Sequence, residues 1–119
     1  MDAKEYLEQA RHLDMRIHAK LKLKEEFKGS PGAGEKLAEL EAEIDQEIDE
    51  LAELKLKITQ MIRRVSKPEY RTVLELRYLS LWTWEKIAMN MNYSENYIYE
   101  LHRAALKAFE AVAASSFHI

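Results

Sequence analysis

The chain has no cysteine and very little glycine or proline. Without cysteine it forms no disulfide and offers no thiolate ligand to a metal. Of its 119 residues only three are glycine and two are proline, and four of these five lie between Gly29 and Gly34. Because glycine and proline are the strongest interrupters of regular structure, we expect one break near residue 30 and helix elsewhere. The sequence therefore predicts an all-α protein.

Long apolar runs are also lacking. No run approaches the roughly 18 residues that indicate a membrane span. The first twenty residues, MDAKEYLEQARHLDMRIHAK, do not have the charged-then-apolar order of a signal peptide. We therefore expect a soluble, cytoplasmic protein that makes no contact with membranes.

Catalytic patterns are missing as well. No nucleophile, base and orienting group come together at a readable spacing, and the loop GSPGAG (residues 29–34) lacks the Lys-Ser/Thr of a phosphate-binding loop. The acidic run EAEIDQEIDE (residues 41–50) has no neighbouring Glu-x-x-His pattern, so a solvated helix face explains it better than a metal site. The histidines are dispersed, and we interpret His102 as a helix-surface residue or a neighbour of phosphate. We expect no enzyme, no metal and no cofactor. The four histidines are His12, His18, His102 and His118.

Charge is distributed unevenly around the net value of −3. Residues 35–57 carry three Lys/Arg against nine Asp/Glu, whereas residues 58–119 carry eight against six. An acidic segment repels a phosphate backbone, and a mildly basic one tolerates it. A nucleic-acid surface is therefore to be sought in the C-terminal part.

Apolar periodicity divides residues 1–67 into two long helices joined by the loop 29–34. The first is predicted from about Asp2, its N-cap, to Lys28, and the second from about Glu35 to Lys67. Their apolar stripes recur at steps of three and four, as in a coiled-coil seam, and the short loop predicts an antiparallel helical hairpin. Such a hairpin buries only a narrow seam, so we expect further partners, either the C-terminal helices or a second copy of the chain, and we favour a homodimer. The stripes are Leu7, Ala10, Leu13, Ile17 and Leu21, then Leu37, Leu40, Ile44, Ile48, Leu51, Leu54 or Lys55, Ile58, Met61/Ile62 and Val65.

Residues 68–119 are predicted to form a second domain. Pro68 ends the preceding helix and suits the first turn of the next one, PEYRTVLELRYLS. Two further helices are predicted within WTWEKIAMNMNYSENYIYELHRAALKAF (residues 82–109), because a turn signal interrupts otherwise helical residues there.

The turn signal consists of Asn92, Tyr93 and Ser94. Thr83 is a good N-cap for the helix before it, Asn92 tolerates left-handed backbone angles, and Ser94 is a good N-cap for the helix after it. We expect Tyr93 to fill the core beneath the turn. Two short helices with this connection are typical of a helix-turn-helix.

A helix-turn-helix places the N-terminal part of its second helix in the DNA major groove. With Ile98 and Leu101 assigned to the core, six outward residues are candidates for contacts with base edges, where Asn pairs with adenine, Arg with guanine and Glu with the cytosine amine. Four basic residues are candidates for phosphate contacts. The base-edge candidates are Glu95, Asn96, Tyr97, Tyr99, Glu100 and Arg103, and the phosphate candidates are Arg71, Arg77, Lys86 and Lys107.

The segment from Pro68 to Phe109 resembles region four of the bacterial primary sigma-factor family. The matching residues, in order and spacing, are Glu75-Leu76-Arg77-Tyr78, Trp84-Glu85-Lys86-Ile87-Ala88, Asn92-Tyr93-Ser94 and Ala105-Leu106-Lys107. The preceding hairpin, opening with AKEYLEQARHLDMRI, is similar to small bacteriophage sigma-like regulators of the ArpU type. The resemblance implies a phage- or prophage-encoded, sequence-specific transcriptional regulator that binds double-stranded DNA and contacts RNA polymerase.

Two other functions stay open. The segment SENYIYELHRAA has Glu95 and Glu100 and only Arg103 as a basic residue, where sigma factors have several arginines. This acidity favours a protein-interaction module whose helix-turn-helix does not touch DNA. The second alternative is a viral packaging or replication adaptor resembling a small terminase subunit, whose oligomer should be a ring.

Overall fold

The computed structural model describes residues 2–117, with the side chains of residues 2–115. His118 and the last residue of the predicted second domain lie outside this range. Within it all the regular secondary structure is α- or π-helical and there is no strand, which confirms the all-α prediction. The helices are α1 (Ala3–Phe27), α2 (Gly34–Ile62), α3 (Pro68–Leu74), a π segment (Glu75–Leu79), α4 (Trp84–Met91) and α5 (Glu95–Phe117).

Helix α1 begins where the sequence predicts. The carboxylate of Asp2 accepts a hydrogen bond from the backbone N–H of Glu5 at 2.8 Å and so caps the helix. Four members of the predicted apolar stripe are buried, but Leu21 is 39% exposed, so the prediction was wrong at that position. Near this end of α1 the half-buried Lys20 and Lys24 face α2 instead. The buried members are Leu7, Ala10, Leu13 and Ile17.

Ion pairs connect α1 with α2 and show their relative direction. Arg16 lies 3.9 Å from Glu47, and Lys20 pairs with both Glu47 and Glu43. Further along α1, Lys24 lies 3.4 Å from Glu41, which comes earlier in α2. The two helices therefore run in opposite directions where they face each other.

Helix α2 ends at Ile62, five residues before the predicted end at Lys67. Val65 is buried, as its place in the apolar stripe suggests, but it lies in the turn after the helix. The guanidinium of Arg71 donates hydrogen bonds to the carbonyl oxygens of Val65 and Ser66, at 2.7 and 2.9 Å, and so satisfies the backbone of this turn. The apolar residues therefore keep their helical spacing as far as Val65, although the helix itself ends at Ile62.

The connection from α2 to α4 is compact. Pro68 occupies the first turn of α3, as predicted, and α3 continues directly into the π segment, in which Tyr78 is fully buried. Leu81 then adopts a positive φ of 59°, and the hydroxyl of Thr83 accepts from the N–H of Lys86 at 3.2 Å to cap α4. The sequence pattern predicted this cap but not the π segment or the left-handed leucine.

One hydrophobic core joins both ends of the chain. The start of α1 and the end of α2 contribute to the same cluster as α3, the π segment, α4 and α5. The predicted domain boundary between residues 67 and 68 stays a prediction, but the core crosses it. No helix within residues 2–117 combines the length and the apolarity needed to cross a bilayer. The fully buried large side chains are Leu7, Ile58, Ile62, Val65, Val73, Leu74, Tyr78, Ile87, Ile98 and Phe109.

Candidate nucleic-acid interface

Three residues connect α4 to α5. Asn92 adopts the left-handed conformation predicted for it, with φ 60° and ψ 41°, and its N–H donates to the carbonyl of Ala88. The hydroxyl of Ser94 accepts from the N–H of Tyr97 at 3.1 Å and satisfies one unpaired donor in the first turn of α5. The end of α4 and the start of α5 are therefore both fixed by local hydrogen bonds.

Helix α5 has one buried and one exposed side in its N-terminal half. Ile98 and Leu101 are buried against the rest of the molecule, as predicted, and Ala105 is buried as well. All six residues predicted to reach base edges are exposed, and we call them together the exposed face of α5. Their contact with DNA stays a prediction. The exposed face comprises Glu95, Asn96, Tyr97, Tyr99, Glu100 and Arg103.

Tyr93 does not fill the core, and that prediction was wrong. Its side chain is 37% exposed and packs against the ring of Tyr97, with centroids 4.4 Å apart. Its hydroxyl donates to the carboxylate of Glu69 in α3, and this hydrogen bond raises the pKa of Tyr93. The buried positions beside the turn are taken by Ile87 and Ala88 of α4, which leaves the tyrosine at the surface.

Arg77 is partly buried and contacts two tryptophans. Its guanidinium carbon lies 4.1 Å from the ring centroid of Trp84, and one guanidinium nitrogen donates to the carbonyl of Trp82 at 2.9 Å. The Trp84 ring also makes edge contacts with Tyr99 and His102 of α5, at centroid distances of 5.5 and 4.5 Å. This phosphate candidate is thus half-buried, and its guanidinium already contacts Trp82 and Trp84.

The other phosphate candidates differ in how freely they face solvent. Arg71 is half-buried and donates to two backbone carbonyls of the turn after α2. Lys86 is exposed, with its ammonium 4.2 Å from the ring centroid of Trp82, and Lys107 is exposed on α5. Lys86, Lys107 and Arg103 are therefore the accessible cations among the predicted residues.

His102 is a core residue, so its interpretation as a surface residue was wrong. It is 6% exposed, and its Nε2 lies 2.6 Å from the hydroxyl oxygen of Tyr78. Burial, helped by the nearby charges of Arg77, Lys4 and Arg103, lowers the pKa of His102 to about 4. Burial also raises the pKa of Tyr78. The spacing of His102 from the buried Ile98 and Ala105, four and three residues away, was the signal that it lies on the core side.

The buried histidine should make the fold sensitive to acid. Between the ordinary pKa of 6.5 and the folded value of about 4, the unfolded chain binds a proton that the folded chain does not. The free energy of unfolding should therefore fall as pH decreases through this window, by up to about 1.4 kcal/mol per pH unit from this group. Above pH 6.5 the group should cause no pH dependence. His102→Gln retains a partner for the Tyr78 hydroxyl and does not titrate. Urea unfolding at pH 7 and pH 4.5 should show a smaller loss of stability in this variant than in wild type, and equal losses would contradict the account.

No three His, Asp or Glu side chains in the described part of the chain come close enough together to hold a metal ion. The candidate surface is the exposed face of α5, which follows the three-residue connection through the left-handed Asn92 and is backed by the shared core.

These features define an all-α protein with an exposed helix after a tight inter-helix turn. Residues 35–110 match the model of a family described as "Protein of unknown function (DUF1492)". The match covers more than half of the chain, and the chain belongs to this family. It includes nearly all of α2 and continues through α3, the π segment and α4 to Glu110 of α5. Comparisons with curated proteins and with solved structures each gave no match.

Proposed function

We propose that the protein is a sequence-specific DNA-binding transcriptional regulator in which α4 and α5 form a helix-turn-helix. One observation carries this proposal. A three-residue connection through the left-handed Asn92 leads into a helix whose first half is exposed on one side and buried on the other. This is the arrangement that lets a second helix enter a major groove about 12 Å wide while its inner side stays packed.

The side chains on the exposed face of α5 have the hydrogen-bonding groups that base readout requires. Asn96 offers an amide that pairs with adenine, and Arg103 offers a guanidinium that pairs with guanine or with a phosphate. Glu95 and Glu100 are acceptors for the cytosine amine, at the cost of repelling phosphates. Specificity in this proposal comes from base edges more than from general attraction to the backbone.

Phosphate contacts are assigned to three accessible cations. Lys107 and Arg103 lie four residues apart on α5, and Lys86 lies in the first turn of α4. Few positive charges mean a shallow dependence of binding on salt, since each neutralised phosphate releases counterions. Arg71 and Arg77 contribute through packing and backbone hydrogen bonds rather than as free cations.

The finer identity in this proposal follows the resemblance to sigma region four and to ArpU-type regulators. It includes a phage or prophage origin, a cytoplasmic location, contact with RNA polymerase and a helical hairpin made of α1 and α2. The opposite directions of α1 and α2 and the caps at Thr83 and Ser94 support the hairpin and the helix-turn-helix.

A protein-interaction module is the second candidate. Two acidic residues, Glu95 and Glu100, lie on the exposed face of α5, and the Tyr93–Tyr97 pair lies exposed beside them. Exposed aromatic side chains are typical of protein interfaces, and acidic ones disfavour DNA. Binding of DNA at any salt concentration decides between the two candidates.

Replacing Arg103 and Lys107 by Ala should weaken binding to a mixed-sequence duplex and flatten its salt dependence. If each contacts one phosphate, the slope of log K against log salt should become less steep by about 1.8 in total. Fluorescence anisotropy over a series of KCl concentrations gives this slope. The matched control is Lys22→Ala with Lys36→Ala, which removes the same charge from exposed positions on α1 and α2. Equal slopes for the two double variants would show that the exposed face of α5 is not the DNA-binding surface.

A further inference from the structure

Helix α2 has a second apolar stripe that does not face α1. Ile48 and Leu56 are 46% and 59% exposed, and Ala52, midway between them, is exposed as well. The spacing of four residues places these three side chains along one side of the helix. The residues that pack inward on the same helix, Ile44 and Ile58 among them, are buried on another side. Ile48 was predicted to pack against α1, and that prediction was wrong. The neighbouring, half-buried Glu47 faces α1 instead and pairs with Lys20.

The residues around this stripe are arranged symmetrically about Ala52. Ile48 and Leu56 lie four positions before and after it, and Asp49 and Lys55 lie three positions before and after it. Pairing residues at equal distances from Ala52 therefore matches an apolar side chain with an apolar one and an acid with a base.

The symmetry extends further along α2 and to Arg63, the residue directly after its end. Asp45 and Thr59 lie seven positions from Ala52, and Glu41 and Arg63 lie eleven positions from it. The seam through Glu41, Asp45, Ile48, Ala52, Leu56, Thr59 and Arg63 has steps of four, three, four, four, three and four residues, which read the same in both directions. A helix with a self-complementary seam of this kind is suited to an isologous contact.

We propose that α2 pairs antiparallel with α2 of a second copy of this chain, on a two-fold axis at Ala52. Ile48 of each copy then packs against Leu56 of the other, and the small side chain of Ala52 lets the two helices approach at the axis. Glu41, whose carboxylate also pairs with Lys24, meets Arg63 of the second copy at each end. The contact spans about 33 Å, from residue 41 of α2 to residue 63 at its C-cap, at 1.5 Å per residue.

Charge decides the direction of this pairing. Residues 35–53 carry nine Asp/Glu and a single Lys, so a parallel pair would place one acidic half against the other. The antiparallel pair places each acidic half against the end that contains Lys55, Lys57 and Arg63. Like charges opposite each other are unfavourable and unlike charges favourable, more so at low salt. This inference stands independently of the proposed function.

A cysteine at the axis tests the proposal directly because the native chain has none. Ala52→Cys should form a disulfide-linked dimer under mild oxidation, since two Cα atoms at the axis can reach the distance of less than about 7 Å that a disulfide needs. Ala38→Cys is the matched control, an exposed alanine of α2 fourteen residues away. In the antiparallel dimer its two copies lie about 42 Å apart, whereas a parallel dimer brings them together. Equal cross-linking of both variants, or none in Ala52→Cys, would overturn the proposal.

Sedimentation equilibrium gives a second test that needs no oxidation. Wild type should be a dimer, and Leu56→Glu should weaken dimerisation at least tenfold, because it buries a charge against Ile48 of the second copy. Leu23→Glu, at an exposed position of α1, should dimerise like wild type. Circular dichroism checks that both variants remain folded. A monomeric wild type at every concentration, a larger ring, or a Leu56→Glu dimer as stable as wild type would each contradict the antiparallel pair.

Discussion

Phe109→Ala is expected to lower the free energy of unfolding by about 3–5 kcal/mol, the usual cost of truncating a buried phenylalanine. Phe109 is fully buried in α5, and its ring stacks on that of Tyr6 in α1 with centroids 6.3 Å apart. Urea unfolding measures the change. Tyr97→Ala, on the exposed face of the same helix, should cost far less and serves as the control. A loss below about 1 kcal/mol for Phe109→Ala would mean that α1 and α5 do not share a core.

The same experiment tests whether the two predicted domains unfold separately. Trp82 and Trp84 report on the C-terminal helices, whereas far-ultraviolet circular dichroism is dominated by the long α1 and α2. Because one core contains residues from all of these elements, the two signals should change at the same urea concentration. Two separate transitions would instead support independent domains on either side of Pro68.

Ala88→Leu is expected to destabilise the protein by about 1–3 kcal/mol, because it inserts extra methylene and methyl groups into a filled space. Ala88 is 5% exposed in α4, and its carbonyl accepts the N–H of Asn92, so the larger side chain acts where α4 meets the turn. Thermal unfolding followed by circular dichroism measures the loss. Met89→Leu changes the adjacent residue, which is 71% exposed, and should leave stability within about 0.5 kcal/mol of wild type. If Ala88→Leu melts like wild type, α4 does not pack closely at this residue.

The caps and breaks of the helices could be predicted from the sequence because they depend on local chemistry. Asp2, Thr83 and Ser94 each accept a backbone N–H in the first turn of the helix that follows. Asn92 adopts left-handed angles, and Pro68 begins a helix. These are interactions within four residues, which a sequence window contains completely.

The errors occurred where three-dimensional contacts decide the outcome. The apolar period placed Leu21 and Ile48 in the α1–α2 seam, but Lys20 and Glu47 occupy it and pair with each other. Long side chains with apolar stems can serve as seam residues, which a pattern based on residue type misses. Tyr93 was predicted to fill the core beneath the turn. It lies at the surface instead, where its hydroxyl donates a hydrogen bond to Glu69, twenty-four residues away.

The candidate site shows the same division. The six residues of the exposed face of α5 were predicted from helical spacing, and all are exposed. On the inner side of that helix, the burial of His102 follows from its spacing from Ile98 and Ala105, but its hydrogen bond to Tyr78, twenty-four residues away, could not be predicted from the sequence. Arg77 illustrates a related limit, since its contacts with Trp82 and Trp84 depend on the π segment and the left-handed Leu81 that bring them together. Neither irregularity has a sequence signal of its own.

Selection from a random duplex pool at low and at physiological salt tests the central claim most directly. The wild-type chain is compared with the Arg103→Ala, Lys107→Ala variant, and the bound duplexes are sequenced. Recognition of base edges by the exposed face of α5 predicts an enriched motif for wild type and its loss or weakening in the variant. If wild type retains no DNA at both salt concentrations, or if both proteins enrich the same motif equally, the claim that this face reads DNA is contradicted.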